Sequence, residues 1–169
     1  MSDRYHRLAW IFGETTNYTG RNRSNMVVVA AVDRSERAPN TVAEAATIAA
    51  AFDDTVNAVH VLSRSEFVDL EQTEVSKGGR PVQMDRIREF AASKAEKATE
   101  DVEFDAPVEY VGLVGKAADE ITSYADDNDA RYIVVGSRQK SPAGKAVFGS
   151  VSQRVLLNSD CPVVVTVQQ

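Results

Sequence analysis

Cysteine is nearly absent from this sequence. Cys161 is the single one in 169 residues, so no internal disulfide can staple the chain, and a reducing interior is its expected setting. No apolar stretch approaches the roughly 20 residues that cross a bilayer. Positive charge is not in excess either: the net charge of −6 argues against the extended basic face that nucleic acid requires. The two histidines, His6 and His60, are too far apart in sequence to suggest a metal pair. We therefore expect a soluble cytoplasmic protein with neither a nucleic-acid nor a membrane partner. With 43% hydrophobic and 26% charged residues, the chain is long enough for one globular domain with a proper core.

A more local absence organises the chain. Between Arg131 and Ser159 there is no Asp or Glu, while five cations occur there, Arg131, Arg138, Lys140, Lys145 and Arg154. The rest of the chain sets 14 bases against 25 acids. Residues 133–135 are an apolar run, 136–148 a glycine-rich basic loop, Gly149-Ser150 a helix start, and 163–167 a second apolar run. That order reads as strand, loop, helix, strand, one βαβ unit. A basic loop feeding a helix start suits an anionic ligand, because backbone N–H groups and the helix dipole point at the anion.

Upstream, residues 26–32 are a continuous apolar run, as in a parallel strand covered on both faces, ending at Asp33-Arg34-Ser35. A helix follows, with Pro39 in its first turn, Thr41 and Glu44 as a candidate capping box, and Val42, Ala45, Ala46, Ala49 and Phe52 facing inward. Residues 56–62 form the next buried strand. Residues 63–81 are polar, end in Gly78-Gly79-Arg80-Pro81 and read as a mobile connection. A long helix over 82–100 puts Met84, Ile87, Ala91, Ala95 and Ala98 on one side. A short strand at 107–111 and a helix after Gly115, with Ala117, Ile121, Tyr124 and Ala125 inward, lead to the fourth strand. Five strands alternating with four helices predict a doubly wound α/β domain.

Residues 1–25 do not fit this pattern: they carry four arginines and four aromatics without a clear period. They read either as a tail packed on the domain or as an upstream start ahead of a functional start at Met26. The apolar run at 8–12 is too short for a signal peptide. His60 reads as a satisfied core residue and Cys161 as a buried structural thiol. No base–nucleophile pairing makes Ser137, Ser141 or Ser152 a catalytic serine.

Named nucleotide motifs fail in turn. Gly144-Lys145 is followed by Ala146 and lacks the upstream glycine of a Walker loop, and the turn after the first strand contains no glycine at all. A receiver-type phospho-acceptor is missing from the end of the third strand, which reads Tyr110-Val111-Gly112. A fourth pattern fits. Gly136-x2-Gln139-x9-Gly149-Ser150, flanked by IVVGSR and GSVSQRVLLNSDCPVVVTV, resembles the universal stress protein family, whose ATP-binding members carry Gly-x2-Gly-x9-Gly-[Ser/Thr] after strand 4. VVVAAVDRS at strand 1, VHVL at strand 2 and VGLVGKAADEI ahead of the third helix extend the resemblance over 26–169.

The resemblance implies a five-stranded parallel sheet of order 3-2-1-4-5 with helices on both faces, and a homodimer through the last strand (163–167). It implies a stress-response regulator binding ATP or another adenine nucleotide, with or without Mg, in a crevice between strands 1 and 4. Adenine would meet Val32, Asp33 and Val61, and the phosphates Gly136, Gly149, Ser150, Val151 and Ser152. Gly115 would border the crevice, and Arg138 and Lys145 are candidate phosphate partners beside Lys140. The departure is Gln139, which stands where the second motif glycine belongs; a left-handed backbone there would cost a glutamine about 1 kcal/mol. Two alternatives stay open: a dimeric stress protein that binds no nucleotide and acts through protein partners, and a slow ATP hydrolase.

Overall fold

Apolar runs too short for helices and rich in valine become strands here, each buried by a helix packed on either face of one sheet. The computed structural model describes residues 26–76, 83–137 and 148–167. In chain order the elements are β1 (Val27–Ala31), α1 (Ala38–Phe52), β2 (Thr55–Leu62), α2 (Arg64–Ser76), α3 (Met84–Lys97), β3 (Val108–Val114), α4 (Ala117–Asp127), β4 (Tyr132–Gly136), α5 (Ser150–Asn158) and β5 (Val163–Thr166). The sheet is parallel throughout, in the order β3-β2-β1-β4-β5. This is the expected doubly wound α/β fold. No described helix is long and apolar enough to cross a membrane.

The pleat divides the core in two. Val28, Ala30, Val56, Ala58 and Val134 face α1 and α3, meeting Val42, Ala45, Ala46, Ala49 and Ala95. Val29, Val59, Ile133 and Val135 face the opposite way, onto Ala118, Ile121 and Ala125 of α4 and Val155 of α5. Small residues let the helices approach the sheet closely. At Gly112 of β3 a Cβ would collide with the backbone of α3 at Arg88 and Ala92, so only glycine fits there.

The amino end of the sheet is held by one buried ion pair. Asp54, in the turn between α1 and β2, accepts from Arg131 Nε at 2.5 Å and Nη2 at 3.2 Å, and from the Met26 N–H at 2.9 Å. The Arg131 guanidinium lies 4.5 Å over the Phe52 ring, and the Arg131 N–H bonds the Val27 carbonyl. One carboxylate thus joins the starts of β1, β2 and β4, and its hydrogen bonds hold the Arg131 pKa above the usual arginine value.

Four expectations need correction. The stretch read as a mobile connection contains a helix, α2, so five helices rather than four are described. Its local signal is Ser63-Arg64-Ser65-Glu66, a capping box: Ser63 Oγ accepts from the Glu66 N–H (3.3 Å) and the Glu66 carboxylate accepts from the Ser63 N–H (2.9 Å). Thr41 and Glu44 do not cap α1, which starts at Ala38 and buries Thr41 inside the helix. Phe52 and Met84 are exposed rather than inward; Phe52 is the last residue of α1 and Met84 the first of α3. Cys161 is half-buried, since the loop before β5 lies at the sheet edge. Residues 1–25 lie outside the described residues.

Arg131→Met should leave Asp54 charged, buried and unpaired, and lower stability by about 3–5 kcal/mol. Urea unfolding monitored by circular dichroism checks this; a loss below about 1 kcal/mol would show that the pair does not hold the sheet together.

Candidate functional site

β1 and β2 start in register, Val27 opposite Thr55, but β1 has 5 residues and β2 has 8. One backbone bond continues past β1, from the Val32 N–H to the Val59 carbonyl (2.8 Å). The next acceptor, the Val32 carbonyl, is taken by His60 Nδ1 at 2.8 Å instead of by the following rung of the ladder. In a parallel ladder alternate residues bond the same neighbour. The Val61 N–H and C=O therefore face the line of β1 beyond the point where β1 has left the sheet.

A crevice of about 320 Å³ opens there. Its floor is the carboxyl ends of β1, β2 and β4, and its walls are the loop after β1, the first turn of α2, the start of α4 and the start of α5. Of the twelve residues singled out from the sequence, it gathers Val32, Asp33, Val61, Gly136, Gly149, Ser150, Val151 and Ser152. Gly115 is not among its lining residues; its φ of +155° and the closeness of the Glu120 side chain explain the glycine locally. Arg138, Gln139 and Lys145, together with Lys140 and Ser141, lie outside the described residues.

One end of the crevice is a helix start. α5 begins at Ser150 with Gly149 as N-cap, no side chain caps it, and its first turn holds no acid. The Gln153 N–H closes the first turn on the Gly149 carbonyl (2.9 Å), so the N–H groups of Ser150, Val151 and Ser152 have no partner within the helix. Ser152 is buried and donates its hydroxyl to the Gly136 carbonyl (2.7 Å), pinning α5 to the end of β4. Ser137, next along, is 2% exposed, and its Oγ has no hydrogen-bond partner. Orphan donors, the positive end of a helix dipole and no carboxylate make an anion seat.

The other end carries paired charges. Asp33 accepts from the Ser35 N–H (3.0 Å) and hydroxyl and from Arg37 Nη2 (3.3 Å). Desolvation pushes the Asp33 pKa up, but these hydrogen bonds and the nearby guanidinium outweigh it and leave it lowered. Asp33 is thus an ionised acceptor at neutral pH. Arg34 pairs with Glu66 across from the loop to α2. Both arginines of this end are matched by carboxylates, so an anion gains less here than at α5.

His60 is 5% exposed. A carbonyl only accepts, so His60 carries its proton on Nδ1, leaving Nε2 an acceptor; the reading of a satisfied core histidine holds at Nδ1 but not at Nε2, which has no partner. Sequence reasoning missed Arg34, Arg37, Thr41, Glu66 and Ser137 as lining residues. The capping box would have found Glu66. No local signal marks Thr41, whose hydroxyl meets Thr166 of β5 at 3.3 Å.

Burial lowers the His60 pKa below its ordinary 6.5, more than the bond to Val32 raises it. The unfolded chain therefore takes up a proton at a pH where the folded one does not, and stability should fall as pH drops below about 6.5. The loss should continue until the folded-state pKa is passed. His60→Asn, which keeps a donor for Val32 but does not titrate, should flatten that part of the pH–stability curve. An unchanged curve in the variant would remove His60 as its cause.

The chain matches the family model described as the universal stress protein family over residues 24–167. It is 31% identical over 150 residues to universal stress protein MJ0531 of Methanocaldococcus jannaschii, covering 86% of this chain and 85% of that one. A solved universal stress protein from Archaeoglobus fulgidus is 31% identical and superposes with a TM-score of 0.54, covering 83% of this chain and 97% of its own. A structure of the universal stress protein from Archaeoglobus fulgidus in complex with dAMP is 28% identical, with a TM-score of 0.52 and coverage of 85% and 98%.

Proposed function

The chain belongs to the universal stress protein family, and on that premise we propose that it is a stress-response regulator binding an adenine nucleotide in the β1/β4 crevice. The observation that carries this reading is the polarity of the crevice. One end offers three orphan N–H groups at the start of α5 and no carboxylate. The other offers the backbone edge of Val61, the Val32 end of β1 and the ionised Asp33. A nucleotide has the same asymmetry. Its phosphates suit the helix start, and its base can pair edge-on with the Val61 N–H and C=O as an added strand would. Its ribose hydroxyls can donate to Asp33, whose carboxylate keeps acceptor capacity beyond Ser35 and Arg37. The relative described in complex with dAMP supports the same class of ligand.

The orphaned Ser137 Oγ fits the phosphate end as a further donor. ATP is the form we assign, and Mg would add positive charge against its phosphates; the extra cations Arg138, Lys140 and Lys145 belong to the basic stretch of the sequence and would compensate for Gln139. The described residues at the phosphate end, Gly136, Ser137 and Gly149 to Ser152, include no general base, and we read the chain as a binding protein whose hydrolysis is slow at most. It acts in the cytoplasm.

ATP, ADP or AMP at 100 times its dissociation constant should stabilise the protein by about 2.7 kcal/mol. Differential scanning fluorimetry with millimolar nucleotide reads this directly. Asp33→Asn should weaken binding about 10- to 100-fold, the range for a charged hydrogen bond. No melting shift with any of the three nucleotides would overturn the reading and leave the partner-protein alternative.

The homodimer rests on a separate observation. β5 is an edge strand whose four residues are all half-buried, and Leu157 of α5 beside it is 73% exposed. Among the described residues no further strand covers this apolar edge, which favours pairing with a second copy. Sedimentation equilibrium should give twice the 18.4 kDa chain mass, and a monomer at micromolar concentration would exclude this assembly.

A further inference from the structure

α2 has no part in the reading above, yet it stands where the crevice meets β2. It starts two residues after β2 ends, and its first turn supplies one crevice residue, Glu66. That carboxylate works in two directions. Its Oε2 accepts from the Ser63 N–H (2.9 Å) and hydroxyl (2.8 Å), closing the capping box. Its Oε1 pairs with Arg34, on the loop that follows β1. Arg34 also lines the crevice, so the pair spans from the strand-1 loop to the helix after strand 2.

Among the described side chains, the apolar footing of α2 is small. Phe67 and Leu70 pack on a cluster of three buried residues, Leu62, Ile87 and Ala91, apart from the two main cores. Val68 is left exposed. The Arg34 side chain is 65% exposed, so water reaches the arginine end of the pair and weakens it, while the Glu66 Oε1 that it meets is buried. A helix on a small apolar footing, tied to the opposite wall by one half-solvated ion pair, opens far more readily than the sheet beneath it.

We propose that α2 is a lid on the strand-2 side of the crevice, and that the Arg34–Glu66 pair is the clasp holding it closed. Opening of this clasp sets the rate at which ligand enters and leaves the crevice. Its ligand-dependent part rests on the nucleotide reading; the lid itself does not.

Glu66→Gln isolates the clasp, because glutamine also serves at the third position of a capping box but carries no charge. Hydrogen exchange on the ligand-free full chain should show the α2 amides exchanging about two- to five-fold faster in this variant, the range for a half-exposed pair, with β1 and β4 unchanged. Arg34→Gln should do the same, and the double variant should add nothing further, as two halves of one interaction behave. Equal α2 exchange in wild type and both single variants would overturn the proposal. Stopped-flow binding of the fluorescent analogue mant-ADP then separates a lid from a lost contact. A loosened lid raises the association and dissociation rates together, whereas a lost ligand contact raises dissociation alone, and the latter result would also overturn it. If mant-ADP and unlabelled nucleotides fail to bind, the nucleotide reading falls while the exchange data still decide whether α2 is clasped.

Discussion

β1 stops three residues before β2 does, and the crevice exists because of that difference. Ala31 is the last paired residue of β1, opposite Val59, while β2 continues to Leu62. At this point the chain turns away toward α1, and β4 on the other side turns away toward α5. Crossovers that leave a sheet in opposite directions from adjacent strands cannot fill the space between them. Everything assigned to the site follows: the backbone of Val61 facing a gap, Asp33 at its rim, and the α5 start aimed across it. His60 contributes by holding the Val32 carbonyl, so that the ladder ends there instead of zipping on.

The opposite end of the same strands is built the other way, for permanence. Asp54 gathers the Met26 N–H and two nitrogens of Arg131 in a buried cluster, with the Phe52 ring against the guanidinium. The charges at the crevice end, Arg37 with Asp33 and Arg34 with Glu66, are partly solvated instead. Buried pairs are costly to break and exposed ones are not. The sheet is therefore clamped at its amino end and left adjustable at its carboxyl end, where the crevice opens.

The donors of the crevice are arranged differently from those of the named phosphate-loop motifs. A Walker loop wraps phosphate in backbone supplied by one continuous loop. Here the anion seat is split between the end of β4 and the start of α5, joined by the Ser152 to Gly136 hydrogen bond. Of the glycines there, Gly136 is the crowded one: a Cβ on it would meet the Thr41 hydroxyl at 3.2 Å.

The five strands were legible in the sequence, because parallel strands buried on both faces must be apolar throughout, and short valine-rich runs have few other uses. The acid-free stretch from Arg131 to Ser159 was equally legible, since charge composition survives folding. α2 was not. Its polar composition hides a helix whose only strong local mark is one capping box and whose inward residues, Phe67 and Leu70, are too few to make a periodic stripe. Nor were Arg34, Arg37, Thr41, Glu66 and Ser137 legible as crevice residues. Strand lengths, helix approach and the pairing of charges from separate loops arise from contacts distant in sequence. The sequence by itself determined which segments are strands and where positive charge collects; only the tertiary structure decided where β1 parts from β2, and hence which side chains share one crevice.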